Sequence, residues 1–120
     1  MSVFRRLLAG GSQQVTPAQA KKLQSSGAIL LDVREGHEWK AGHAPKALHV
    51  PLPLLESSLS RISRDNTILT VCRSGSRSAR AAKLLAGLGF TVRTVSGGMS
   101  AWSRAGLPVV ANGGRAGHIV

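Results

Sequence analysis

The stretch ILTVCRSGSRSARAAKLLAGLG, residues 68–89, decides the fold. Thr67 to Val71 is apolar and reads as a strand. Further on, Ala81, Leu84, Leu85 and Leu88 fall at i, i+3, i+4 and i+7, the stripe of an amphipathic helix ended by Gly87 and Gly89. Between them lies CRSGSR, Cys72 to Arg77, which holds the only cysteine of the chain. A strand that runs through a short loop into a helix is the repeating step of an α/β domain.

The same step recurs on both sides. Thr16-Pro17-Ala18-Gln19 reads as an N-cap, a proline in the first turn and a capping-box glutamine, so a helix starts there, with Ala20 and Leu23 toward a core and a stop near Gly27. AILLDV is a continuous apolar run that suits a strand covered on both faces. EGHEWKAGH predicts a short helix ended near Gly42 and Pro45, and ALHV a second short strand. Pro51 to Ile62 predicts a helix carrying Leu54, Leu55, Leu59 and Ile62. TVRTV predicts a further strand, and GGMSAWSRAG a turn and short helix. Strands alternating with helices predict a mostly parallel sheet, whose ligands bind beyond the carboxyl ends of the strands, where Cys72 lies. The expected organisation is a flexible arm over 1–13, one domain over 14–110 and an irregular tail over 111–120, rich in glycine.

Composition narrows the function classes. The 120 residues suffice for one core without a staple. A lone cysteine forms no internal disulfide and suits a reducing compartment. The four histidines do not fall at metal-ligand spacing, so no metal site is expected. The apolar run in MSVFRRLLAGG is too short for a signal segment, and no stretch approaches the roughly 20 apolar residues of a membrane helix. A soluble, cytoplasmic protein is expected. Net charge is +11, and no acid follows Asp65, whereas Arg73, Arg77, Arg80, Lys83, Arg93, Arg104 and Arg115 do. This basic half steers anions. Without a stacking platform or a known motif it does not predict nucleic-acid binding.

The loop supports a specific chemistry. A thiol, titrating near about 8.5 when unperturbed, becomes a nucleophile when a helix N-terminus and nearby cations stabilise its anion. Both are available to Cys72. Ser74, Gly75 and Ser76 are small, so consecutive N–H groups can turn inward as an anion nest, with Arg73 and Arg77 as guanidinium forks and Arg80 one turn on. The competing reading is a cysteine that merely fills the strand end, with solvated arginines outside.

Three stretches resemble the single-domain rhodaneses, the thiosulfate sulfurtransferase family: LLDVREGHEWKAGHAPKALHVPL (30–52), CRSGSRSARAA (72–82) and GGMSAWSRAGLPV (97–109). They occur in the family's order and span nearly the whole domain. The resemblance implies a three-layer α/β/α domain with a five-stranded parallel sheet. It implies that Cys72 takes the outer sulfur of thiosulfate, releases sulfite, and passes its persulfide to a small thiol or cyanide. Backbone N–H groups from Arg73, Ser74, Gly75, Ser76 and Arg77 would hold the persulfide, Arg73 and Arg77 would attract the donor, and no cofactor would be required.

Loop length separates sulfur from phosphate chemistry. Four residues lie between Cys72 and Arg77, whereas related phosphatases place one more there. A phosphatase also needs a carboxylic acid to protonate its leaving group. Phosphatase and arsenate reductase readings therefore rank below sulfur transfer. A persulfide carrier or sensor acting with a protein partner is the other reading, because without a second cysteine the acceptor thiol must come from outside.

Other residues are expected to be structural. Asp32 and Arg34 would pair and fix neighbouring loops. His43 would fix the loop before Pro45, Trp102 would pack in the core, and Trp39 would be a partly exposed helix residue. His37, His43 and His49 could also carry protons, and His118 receives no role. The loop carrying Met99 and Ser100 is expected at the rim of Cys72, where it could set access to the sulfur.

Overall fold

A computed structural model describes residues 13–120. Apart from Gln13, the arm expected over 1–13 lies outside the described residues. Five strands, β1 (Gln14–Val15), β2 (Ile29–Asp32), β3 (Leu48–His49), β4 (Ile68–Val71) and β5 (Val92–Val95), form one sheet in the order β1-β5-β4-β2-β3. Every pairing is parallel. Four helices accompany them: α1 (Pro17–Ser25), α2 (Gly36–Ala41), α3 (Ser76–Gly87) and α4 (Gly98–Arg104).

The strands end level with one another. Asp32 is in register with both His49 and Val71, and Val15 with Val95. The carboxyl ends of all five strands thus form a single rim.

Period-two alternation sorts the strand side chains into two cores. Leu31, Val33, Ile68 and Cys72 face one side, packed with Val50, Leu55, Ile62, Ala81, Leu85 and Phe90. Leu30, Leu69, Val71 and Val95 face the other, with Ala20, Met99 and Trp102. Helix α3 therefore covers one face, and α1 and α4 the other. Trp102 is fully buried, and its indole N–H donates to the Pro108 carbonyl at 2.8 Å.

Local signals account for much of this. The capping box closes on both bonds: Thr16 N–H to Gln19 Oε1 at 2.9 Å and Gln19 N–H to Thr16 Oγ1 at 3.1 Å. Two expectations are corrected. Residues 51–62 form two 3₁₀ segments, Leu52–Leu54 and Glu56–Arg61, and not one α-helix. Ser58 leaves helical φ/ψ, so the segment reaches the core without a regular helix. Leu55 and Ile62 are buried, whereas Leu54 is 54% exposed. Leu88 falls just past the end of α3 and is 41% exposed, so the apolar stripe stops at Leu85.

Candidate active site

Strand β4 delivers Cys72 to the rim, and α3 begins four residues later at Ser76. Gly75 precedes the helix with φ at 145°, a backbone conformation that side chains disfavour. As N-cap it has no side-chain oxygen to offer the first turn. The sulfur takes that place: Cys72 Sγ accepts the N–H of Gly75 at 3.1 Å and of Ser78 at 3.3 Å, and stands 3.5 Å from Ser78 Oγ. The N–H groups of Ser76 and Arg77 open the helix with no carbonyl one turn back to receive them.

Ser78 is buried and tied at both ends. Its hydroxyl donates to the Gly75 carbonyl at 2.9 Å, and its own carbonyl accepts Thr70 Oγ1–H at 3.0 Å. Burial of the Cys72 thiol, 1% exposed, raises its pKa; the hydrogen bonds from the Ser78 hydroxyl and from the N–H groups of Ser78, Gly75 and Ser74 outweigh that and set it below the ordinary thiol value. These hydrogen bonds thus favour the thiolate more than water does. Ser78 lies just outside the window Arg73–Arg77 that the sequence suggests; its signal is its place in the first helical turn.

The arginines divide unequally. Arg77 is clamped by Glu38 of α2, with Nη1 to Oε1 at 2.6 Å and Nη2 to Oε2 at 2.9 Å. The Arg77 hydrogen bond leads in holding the Glu38 pKa down, from 4.5 to about 2, against the effect of burial. Glu38 in turn raises that of Arg77. Arg77 thus joins the loop to α2, with its charge matched. Sequence reading missed Glu38, whose partner lies 39 residues away. Arg73 Nε donates to the Val120 carbonyl at 2.8 Å. Arg80 is exposed and lines, with Arg77, Val33, Glu35, Gly36 and the segment Pro51–Leu54, an open cleft of about 440 Å³ at the same rim.

The supporting residues lie around this loop. Asp32 and Arg34 are both fully buried and paired: Nε to Oδ1 at 2.9 Å and Nη2 to Oδ2 at 2.7 Å, with Nη2 also reaching the Gly42 carbonyl at 2.7 Å. They fix the loop after β2. His43 Nδ1 bonds the Trp39 carbonyl at 2.8 Å, and Trp39 stacks on the rings of both His43 and His49. His49 Nε2 bonds the Arg34 carbonyl at 2.8 Å, which gives it the structural contact the sequence did not supply. His37 lies exposed, 3.9 Å from Glu35.

The loop at Gly97–Gly98 does meet the cysteine loop. Met99 N–H donates to the Cys72 carbonyl at 2.7 Å and Ser100 N–H to that of Arg73 at 3.0 Å. The approach is so close that a Cβ on Gly98 would run into both carbonyl oxygens. Met99 itself is fully buried in the core. It anchors the loop from beneath and does not gate the sulfur.

A cysteine seated on a helix N-terminus, at the carboxyl rim of a parallel sheet, defines a class: α/β domains that carry a thiol in a strand-to-helix loop. The rhodanese-like domain family matches residues 16–105, and the chain belongs to it, among the sulfurtransferases. A sulfurtransferase of Allochromatium vinosum is 39% identical over 84 residues, 69% of this chain and 78% of the relative. The thiosulfate sulfurtransferase GlpE of Pseudomonas savastanoi pv. phaseolicola is 33% identical over 91 residues, 75% of this chain and 86% of the relative. Among solved structures, a rhodanese-related protein of Thermoplasma volcanium superposes with a TM-score of 0.77 at 30% identity, covering 82% of this chain and 97% of that one.

Proposed function

We propose that the chain transfers sulfane sulfur from thiosulfate to an external thiol or cyanide through a persulfide on Cys72. The observation that carries this reading is the sulfur itself, held as the N-terminal cap of α3 by Gly75 and Ser78. The Cys72 thiolate attacks the outer sulfur of thiosulfate. A new S–S bond forms, the S–S bond of thiosulfate breaks, and sulfite leaves with the electron pair. The acceptor thiolate or cyanide then attacks the outer sulfur of the persulfide and returns Cys72 as thiolate. No proton moves in either step, so neither needs a general acid.

Depth favours a small donor. At 1% exposure, Cys72 lies at the floor of its loop, where a thiosulfate ion has readier entry than a protein-bound persulfide. The charge states favour sulfur over phosphate. Glu38, bonded to Arg77 of the loop, has a pKa of about 2 that keeps it ionised at neutral pH, unable to protonate an ester leaving group. Asp32 is committed to Arg34.

The test is sulfite release from thiosulfate, with a thiol or cyanide as acceptor, by the intact chain and by Cys72→Ser. Release that depends on Cys72 and turns over with small acceptors supports the reading. Loading of Cys72 without turnover favours a persulfide carrier. Release undiminished in Cys72→Ser, or hydrolysis of an aryl phosphate in its place, would overturn it.

A further inference from the structure

The cleft at the carboxyl rim shares a wall with the surroundings of the sulfur. Val33 donates its N–H to the Val71 carbonyl at 3.0 Å, so it continues the Asp32–Val71 register and stands beside Cys72. Both side chains face α3. Neighbours in register on adjacent strands lie roughly 5 Å apart. Val33 thus packs in the core that holds Cys72 and also lines the cleft. Arg77, which closes the cysteine loop, lines it as well.

The lining has two chemistries. Pro51–Leu54 supplies side chains of carbon only, and Leu52 is fixed to β2 through its N–H on the Val33 carbonyl at 3.1 Å. Leu54 is one of three large apolar side chains exposed to water among the described residues. The other lining comes from α3, which carries Arg77, Arg80 and Lys83 and no acid. Arg77 is matched by Glu38, whereas Arg80 forms no salt bridge among the described residues. Glu35 is the carboxylate of the lining, exposed and 3.9 Å from His37. A cleft of about 440 Å³ has the size of an organic ligand's site, larger than thiosulfate or cyanide. Neither ion has carbon chain to lay on the wall Pro51–Leu54.

We propose that this cleft is the acceptor subsite and selects a thiol with an apolar chain and an acidic end, its sulfur beside Val33, its chain along Leu52 and Leu54, and its carboxylate on Arg80. Arg80 lies one turn past Arg77, roughly 5–6 Å along the same helix face, so a chain of several methylenes reaches it. The proposal rests on the sulfurtransferase reading and names the class of its acceptor. The acceptor thiolate attacks the outer sulfur of the Cys72 persulfide and leaves as its own persulfide, and Cys72 returns as thiolate.

The test is kcat/KM for mercaptopropionate, mercaptohexanoate and the two corresponding alcohols, with thiosulfate as donor. In a ping-pong reaction this constant reports the acceptor step alone, so ratios between acceptors are free of any change in thiosulfate use. A methylene half-covered by an open cleft should add about twofold, so mercaptohexanol should exceed mercaptopropanol about eightfold. Mercaptohexanoate should exceed mercaptohexanol about threefold, the size of a partly exposed charge pair. Arg80→Gln should abolish the carboxylate gain and keep the chain gain. Leu54→Ser should cut the chain gain about twofold. Glu35→Gln, which removes the opposing charge, should enlarge the carboxylate gain. A flat series, or a carboxylate gain that survives Arg80→Gln, would overturn the proposal. Cyanide, too small to reach the cleft walls, separates the two readings: turnover with cyanide beside a flat thiol series sinks the cleft alone. No turnover with any acceptor counts against the sulfurtransferase reading. The selectivity of the cleft is then decided by Cys72 alkylation with iodoacetamides whose pentyl tails end in carboxylate or hydroxyl. A rate ratio of about threefold that vanishes in Arg80→Gln supports it, and a ratio unmoved by Arg80→Gln overturns it.

Discussion

Replacing Ser78 by alanine should raise the thiol pKa of Cys72. In the resting thiol, S–H points to Ser78 Oγ at 3.5 Å while the serine hydroxyl donates to the Gly75 carbonyl at 2.9 Å. When the sulfur ionises, the hydroxyl hydrogen can turn to the anion, at the expense of its bond to Gly75. A hydrogen bond to a charged group contributes about 1.5–3 kcal/mol. The long contact and the lost Gly75 bond reduce this to about 1 kcal/mol, or roughly a fivefold shift in the thiolate–thiol equilibrium. The backbone N–H groups of Gly75 and Ser78 remain, so the thiolate is weakened and not abolished. The assay is the pH dependence of Cys72 alkylation by iodoacetamide in wild type and Ser78→Ala. The expected result is a profile displaced to higher pH, with a rate about fivefold lower below the midpoint and unchanged at its alkaline plateau. An identical midpoint, or one displaced to lower pH, would refute the assignment of Ser78 as a support of the thiolate.

Other predictions follow from the charge pairs and the rim. The Glu38 pKa of about 2 lies below its ordinary 4.5, so the stability it contributes is present above 4.5 and is lost as pH falls toward 2. Glu38→Gln should therefore cost stability at pH 7, of order 2 kcal/mol after discounting for the 31% of the Arg77 side chain that faces water. The difference from wild type should vanish near pH 2 in denaturant titrations, and a constant difference would contradict the pairing. Asp32→Ala leaves the Arg34 guanidinium buried without its partner and should cost about 3–5 kcal/mol, read as a drop in the urea midpoint. Gly98→Val should destabilise the fold and slow Cys72 loading together, because the loop carbonyls must move aside; normal melting and normal loading would argue against the tight approach.

How much of this was legible in the sequence depended on range. The capping box at Thr16–Gln19 joins residues three apart, and the buried strands Ile29–Asp32 and Ile68–Val71 are continuous apolar runs; both read directly. The order of the motifs carried the family, and with it the sheet. The segment 51–62 misled because Leu54, Leu55, Leu59 and Ile62 mimic helical spacing while the backbone leaves helical φ/ψ at Ser58. Strand β1 is two residues long and leaves no period to detect. At the site, Cys72 and its small-residue loop stood out by composition. The fate of the arginines did not, because Glu38 and Val120 reach them from 39 and 47 residues away. Charge counted along the chain showed a wholly basic half, and folding then brought an acid to one of its arginines.

The most direct test of the account is the intact mass of the chain after brief exposure to thiosulfate with no acceptor present. The expected result is one added sulfur per chain, located on Cys72, with one sulfite released for each, and loss of that sulfur on adding cyanide. An unchanged mass, or added sulfur that persists in Cys72→Ser, would contradict it.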